Sequence, residues 1–230
     1  MTNKTVLVTG ASRGIGYQTA LHLAQNSYRV LATARSADKL RELASRNDLI
    51  TGVACDLLEN TSMEILAQTI RDNDIVITSL VHNAGGLVNK PFTELSDDDW
   101  NLMWNTNVMS GVRLLRTLLP YFEQNAHIVT IGSMGGFQGS EKFPGLSAYS
   151  TSKGALSIWT ECMATELKQK SISVNCLCLG AVETEMLQNA FPGIKAPLKA
   201  SQIARFIADF ALNGHRYMNG KILPVALSNP

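Results

Sequence analysis

Short apolar runs alternate with longer amphipathic stretches along almost the whole chain. The apolar runs are rich in Val, Ile and Leu, a composition typical of β-strands. They predict strands at residues 5–8, 29–32, 50–54, 75–81, 128–131, 173–179 and 221–225. The stretches between them carry apolar residues at helical spacing and predict helices at residues 14–25, 37–45, 62–71, 97–122, 148–168 and 201–212.

The predicted strands are apolar on both faces, as are strands of a sheet that helices cover on both sides. Alternation of strand and helix gives right-handed crossovers and a parallel sheet. No Pro/Gly/Ser-rich linker divides the chain. The sequence therefore predicts an α/β fold: a Rossmann-like doubly wound parallel sheet of about seven strands with helices on both faces, as a single domain over residues 1–230. In such sheets ligands bind beyond the carboxyl ends of the strands.

Composition narrows the classes of partner. The 230 residues include 20 Lys and Arg against 19 Asp and Glu, so no basic surface suited to nucleic acid is expected. No apolar run approaches the ~18 residues of a membrane span, and residues 1–5 lack the apolar stretch of a secretion signal. We therefore expect a cytoplasmic protein without nucleic-acid or membrane partners. The four cysteines are scattered and form no CxxC, which predicts core thiols and no metal site.

A glycine-rich turn follows the first predicted strand and leads directly into a helix. The segment 9–16 reads TGASRGIG, with the spacing GxxxGxG. Glycines permit a tight turn and let backbone N–H groups approach an anion at the helix N-terminus. The turn therefore predicts a pyrophosphate cradle formed by Gly10, Ser12, Arg13, Gly14, Ile15 and Gly16.

The end of the second predicted strand bears on the choice of nucleotide. An NAD site places an acidic residue about 20 residues beyond the glycines, but this region reads TARS at residues 33–36. Arg35 could pair with a 2′-phosphate, and Arg13 could approach the same phosphate. The alternative is that both arginines are solvated surface charges. NADP(H) is favoured over NAD(H).

Tyr149 and Lys153 lie four residues apart in a predicted helix, and thus on the same face. A free tyrosine has a pKa near 10 and is a poor acid or base at neutral pH. A nearby ammonium group stabilises the phenolate, so we expect Lys153 to lower the pKa of Tyr149.

Together these segments resemble the classical short-chain dehydrogenases/reductases. The likeness extends from Thr5 to about Val225 and rests on six pieces in the family's order: residues 9–16, Asp56-Leu57, Asn83-Ala84-Gly85, Asn107, Ser133 and the Tyr149-xxx-Lys153 pair. The family's NADP-preferring members also resemble this chain at Arg13 and Arg35.

The resemblance implies a role for each matching residue. Tyr149 would be the general acid in reduction, and Ser133 would hydrogen-bond the substrate carbonyl oxygen. Lys153 would hold the nicotinamide ribose and tune Tyr149, while Asn107 would anchor a water in a proton relay behind the lysine. Further matches would contact the adenine, the ribose and the nicotinamide carboxamide: Asp56 and Leu57; Asn83, Ala84 and Gly85; and Gly180, Val182 and Thr184, respectively.

Four features depart from the family pattern. His82 stands where the family has Asn, and we expect a hydrogen-bonded strand-end residue rather than a catalytic one. Leu179 replaces a proline. Ser133 and Tyr149 are 16 residues apart, about three more than usual, with residues 141–145 between them. The tail at residues 225–230 lacks the usual Asp-Gly-Gly, which leaves the subunit contacts open.

The substrate is the least defined part of the prediction. The expected lid at residues 185–200 is short, and the candidate pocket residues are apolar: Met134, Phe137, Phe143, Leu146, Met186, Leu187 and Phe191. They favour a small apolar or aromatic ketone or aldehyde, reduced with NADPH to an alcohol. Alternatives are an NAD(P)-dependent alcohol dehydrogenase working in oxidation, a 3-oxoacyl thioester reductase, and a nucleotide-sensing module without turnover. By resemblance, the protein is expected to form a homodimer or homotetramer through the predicted helices at 97–122 and 148–168.

Overall fold

A computed structural model describes residues 4–227 of the chain. Its strands are β1 (Lys4–Thr9), β2 (Arg29–Ala34), β3 (Ile50–Ala54), β4 (Val76–His82), β5 (Phe122–Ser133), β6 (Ser173–Leu179), β7 (Val182–Glu183), β8 (Leu198–Lys199) and β9 (Ile222–Val225). All except β7 and β8 form one parallel sheet in the order β3-β2-β1-β4-β5-β6-β9. The two short strands pair with each other in parallel.

The helices cover both faces of this sheet. They are α1 (Gly14–Gln25), α2 (Ala37–Ala44), α3 (Asn60–Asp72), α4 (Asp97–Trp104), α5 (Ser110–Leu118), α6 (Ser147–Glu166), α7 (Glu185–Ala190) and α8 (Ala200–Asn213). On β1, Val6 and Val8 pack towards α1, α2 and α8, whereas Leu7 packs towards α3, α5 and α6. This alternation buries both faces and confirms the predicted doubly wound α/β sheet.

The order in which strands are added to the sheet reverses at β1, and this reversal creates a crevice. The strands β2 and β3 are added on one side of β1, and β4 is added on the other side. The loops after β1 and β4 therefore diverge at the carboxyl edge, where doubly wound sheets bind ligands.

The prediction of a single helix at residues 97–122 is wrong. The chain instead forms α4, a π-helical turn at Asn105–Met109, α5 and a 3₁₀ turn at Leu119–Tyr121, and Phe122 already belongs to β5. Pro120 lacks an N–H and cannot continue the helix, which accounts for the early end. The π-helical turn contains Asn107, one of the predicted site residues.

Smaller differences concern the cysteines and the lid. Cys55, Cys176 and Cys178 are buried thiols, as predicted, but Cys162 is exposed on α6. The sequence pattern did not predict α7, β7 or β8, which lie in the segment between β6 and α8. No helix within residues 4–227 is long and apolar enough to cross a membrane. Residues 1–3 and 228–230, including part of the atypical tail, lie outside the described residues.

Candidate active site

One cavity of about 730 Å³ occupies the crevice at the carboxyl edge of the sheet. It is lined by every predicted catalytic or cofactor-binding residue except Gly16 and Asn107. Both exceptions are buried directly behind the lining. Folding therefore brings together residues that are far apart in the sequence, from Gly10 to Thr184.

The glycine turn forms one wall of the cavity. Gly10 has a φ of +65°, and a Cβ there would lie 2.9 Å from Ala84 Cα. A Cβ on Gly16 would lie 2.5 Å from both Gly10 O and Asn83 Nδ2. Asn83 Nδ2 uses this space to donate to Thr9 O and Gly10 O, both at 3.2 Å. The first N–H groups of α1 thus face the cavity edge without bulky side chains, which suits a pyrophosphate group.

His82 is part of a buried hydrogen-bond chain behind the glycine turn. Thr9 Oγ1 accepts from Asn83 N (3.1 Å) and Ala84 N (3.0 Å), so its own proton is donated to His82 Nδ1 at 3.1 Å. Ser110 Oγ donates to Thr106 O and therefore accepts from His82 Nε2 at 3.4 Å. Both ring nitrogens are used by the neutral imidazole, and burial lowers the pKa of His82 to about 3. This arrangement matches the expected satisfied side chain.

Ser133, Tyr149 and Lys153 meet at the inner end of the cavity. Ser133 ends β5, and its Oγ accepts from Gly135 N at 3.1 Å. Tyr149 and Lys153 lie one turn apart on α6, and Lys153 Nζ donates to Ile131 O at 2.8 Å. The fold thus brings the three predicted residues together, although they come from two separate elements.

The charges at the inner end differ from the prediction in one respect. Burial raises the pKa of Tyr149 above its usual value, and only a hydrogen bond with Ser133 opposes this rise. Burial lowers the pKa of Lys153 to about 8. The expected lowering of the Tyr149 pKa by Lys153 is not seen in this structure: desolvation raises this pKa, and Ser133 is the group that lowers it.

Asn107 lies behind the lining and holds the loop after β4. Its Oδ1 accepts from Gly86 N at 2.8 Å, and its Nδ2 donates to Gly86 O at 3.0 Å and to Ser152 Oγ at 2.9 Å. Gly85 occupies the gap beside this amide: a Cβ there would lie 2.9 Å from Asn107 Oδ1 and 3.2 Å from Lys153 Nζ. The loop, the π-helical turn and α6 are thereby locked together.

The outer end of the cavity is basic. Arg13, Arg35 and Lys39 are exposed and line it. Sequence reasoning missed Lys39 and Ser36, whose Oγ caps α2 by accepting from Lys39 N. Their position in the first turn after β2, next to Arg35, is the signal that could have indicated them. Arg13 also forms an ion pair with Glu185, the first residue of α7, with Nη1 2.5 Å from Oε1.

The remaining wall is apolar. Six of the seven predicted pocket residues line it, and Leu87 and Ile194 join them. Phe137 does not: it packs against Met134, Cys176 and Cys178, so its prediction as a pocket residue was wrong. Two hydrogen bonds connect the outer loops, from Asn89 Nδ2 to Ala190 O (2.8 Å) and from Lys90 N to Gly145 O (3.0 Å).

A doubly wound sheet with a glycine cradle and a Ser–Tyr–Lys group at its carboxyl edge defines a class of nucleotide-dependent oxidoreductases. The family model "short chain dehydrogenase" matches residues 4–195. The chain therefore belongs to the short-chain dehydrogenase/reductase family, whose members use nicotinamide cofactors.

Relatives cover nearly the whole chain. The 3-oxoacyl-(acyl-carrier-protein) reductase FabG of Escherichia coli K12 is 30% identical over 96% of this chain and 95% of its own. The ketoacyl reductase HetN of Nostoc sp. is 31% identical over 86% of this chain and 72% of its own. A short-chain dehydrogenase of Burkholderia cenocepacia, solved in complex with NADP, aligns with a TM-score of 0.85 and 26% identity over 98% of this chain and 97% of its own.

Proposed function

We propose that this oxidoreductase uses NADPH to reduce a carbonyl compound to an alcohol. The observation that carries the proposal is the two-ended cavity. Arg13, Arg35 and Lys39 gather at its outer end, whereas Ser133 and Tyr149 lie at its inner end. A dinucleotide bound along the glycine cradle would join these two ends.

The residues present fit a phosphorylated dinucleotide. Gly10 and Gly16 open the cradle, since a Cβ at either would collide with backbone. Arg35 and Lys39 enter none of the ion pairs found among residues 4–227, so both can meet a 2′-phosphate. The related Burkholderia protein was solved with NADP, which supports the same choice. Asp56 and Leu57 would meet the adenine, and Gly180, Val182 and Thr184 the nicotinamide end.

The chain's own residues can complete the reduction of a carbonyl group. When bound, the cofactor would supply the hydride. Ser133 Oγ would donate a hydrogen bond to the carbonyl oxygen and stabilise the charge that develops there. Tyr149 Oη would donate its proton to the same oxygen, and its raised pKa keeps that proton in place until the oxygen becomes basic.

Lys153 and Asn107 would support the proton transfer by Tyr149 without contacting the substrate. A pKa of about 8 leaves Lys153 largely charged at neutral pH, next to the Tyr149 side of the cavity. Asn107 sits in a π-helical turn, a feature that is frequent at functional sites. Asn107 would anchor the proposed relay water.

The apolar wall favours a neutral apolar or aromatic substrate beneath a lid at residues 185–200. Neither Lys195 nor Lys199, the two lysines of this lid, lines the cavity, which argues against an anionic substrate. A second candidate is a 3-oxoacyl thioester, because two similar proteins carry 3-oxoacyl and ketoacyl reductase names. The same site could also run in the oxidative direction.

The test is oxidation of NADPH and NADH with neutral ketones, aldehydes, quinones and 3-oxoacyl thioesters. We expect turnover on a neutral carbonyl with NADPH preferred. The Tyr149→Phe variant should lose at least about 100-fold in kcat, the scale of general acid catalysis, while its Kd for NADPH stays within twofold. Normal kcat in this variant would refute the mechanism. Turnover of thioesters alone would favour the second candidate.

We further propose a homodimer or homotetramer in the cytoplasm. Leu102 and Trp104 of α4 and Ile158 of α6 are about half exposed or more, at 51%, 47% and 64%. Such a group of exposed apolar side chains is typical of an interface. On α6, Leu156 is buried, and Trp159 and Met163 pack against the core. The free thiols of all four cysteines suit a reducing compartment. Sedimentation of a monomer at micromolar concentration would contradict the assembly.

A further inference from the structure

An ion pair links the glycine cradle to the lid. Arg13 Nη1 lies 2.5 Å from Glu185 Oε1, across 172 residues of sequence. Thr184, just before Glu185, caps α7 by accepting from Leu187 N at 3.2 Å. Its Cγ2 lies only 3.6 Å from where a Cβ on Gly14 would be. The first turn of the lid therefore lies against the cradle. This placement holds Glu185, the next residue after Thr184, beside Arg13.

This ion pair changes the charge balance at the basic end of the cavity. Of the three cations there, Arg13 alone has a carboxylate partner among the described residues. An arginine binds a phosphate best through two parallel N–H···O bonds. A 2′-phosphate must therefore displace or share the Glu185 carboxylate, whereas a cofactor without this phosphate leaves the pair intact.

We propose that Glu185 is a specificity-determining residue that competes with the cofactor's 2′-phosphate for Arg13. Its carboxylate weakens binding of NADPH but not of NADH, and so reduces the preference for NADPH. This inference rests on the proposed use of NADPH. Both side chains are about half exposed, at 51% and 54%, so the pair is of the modest surface kind. Removing it should change affinity about two- to fivefold.

The experiment measures binding of two cofactor fragments to the full chain by calorimetry. Adenosine 2′,5′-bisphosphate carries the 2′-phosphate, and 5′-AMP lacks it. We expect the Glu185→Gln variant to bind the bisphosphate two- to fivefold more tightly, with 5′-AMP unchanged. The gain should shrink at about 1 M salt, where exposed charges are screened within ~3 Å. In an Arg13→Gln background, Glu185→Gln should produce no gain.

A matched control separates competition from a general change of charge. Asp38, next to Lys39, is paired with Arg41, so Asp38→Asn removes the same charge near the site without freeing Arg13. An equal gain from Asp38→Asn, a gain that persists without Arg13, or no gain from Glu185→Gln would each overturn the inference. If the wild-type chain binds the bisphosphate no better than 5′-AMP, the proposed NADPH preference itself fails. A retained bisphosphate preference that ignores Glu185 refutes only the role of Glu185.

Discussion

Gly85 offers a test of how tightly the inner end of the cavity is assembled. It carries no functional group, and its backbone conformation is open to alanine because its φ is not positive. A Cβ at this position would nevertheless lie 2.9 Å from Asn107 Oδ1 and 3.2 Å from Lys153 Nζ. The Gly85→Ala variant therefore displaces two predicted catalytic residues without changing either one.

The size of the effect follows from these distances. Ordinary contact begins at 3.4 Å, so the Asn107 oxygen must retreat by about 0.5 Å. That oxygen accepts from Gly86 N at 2.8 Å, and Lys153 Nζ donates to Ile131 O at 2.8 Å. Weakening both buried hydrogen bonds should cost about 2 kcal/mol of folding free energy. Lys153 Nζ must retreat by about 0.2 Å, and displacing both groups should lower kcat by up to about 10-fold.

The neighbouring glycine provides the control. A Cβ on Gly86 would meet only the ends of two side chains, Thr106 Cγ2 at 3.3 Å and Met103 Cε at 3.4 Å, which can yield. We expect Gly86→Ala to keep its stability within about 1 kcal/mol in urea unfolding and to retain most of its kcat. The reasoning is refuted if Gly85→Ala and Gly86→Ala unfold at the same urea concentration and turn over equally fast.

Two pH dependences follow from buried groups. Burial lowers the pKa of His82 to about 3 and that of His127 to about 4, so between about pH 6.5 and pH 4 only the unfolded chain takes up protons on these two side chains. Stability is complete above pH 6.5 and should fall by about 2 kcal/mol per histidine by pH 5; urea unfolding that is identical at pH 7 and 5 would contradict this. Lys153, with a pKa of about 8, loses its charge as pH rises, so kcat for reduction should decline above pH 8. A rate that is constant to pH 9.5 would exclude this role.

The sequence alone determined the architecture of the sheet and which candidate site residues to look for at its carboxyl edge. Apolar periodicity is a local property, and it placed β6 and α1 with their exact bounds. The glycine turn could also be predicted from local sequence. A positive φ and a close approach of backbone segments demand glycine at fixed spacing. Tyr149 and Lys153 share a helix face, which spacing also shows.

The tertiary structure decided what depends on residues distant in sequence. Asn107 lies in a π-helical turn, and its side chain forms hydrogen bonds with Gly86, 21 residues away. Helical spacing in the sequence reveals neither the turn nor these bonds. Phe137 is apolar like the residues that line the pocket, but only the folded structure shows that it packs against Cys176 and Cys178 instead.

Electrostatics depends even more on the folded surroundings. The pKa of Tyr149 rises because the fold removes water from around it, an effect absent from the spacing of Tyr149 and Lys153. The ion pair between Arg13 and Glu185 joins the first turn of the chain to its lid. Periodicity reports which face of an element is buried, but burial depth and partners across the crevice exist only once the sheet has assembled.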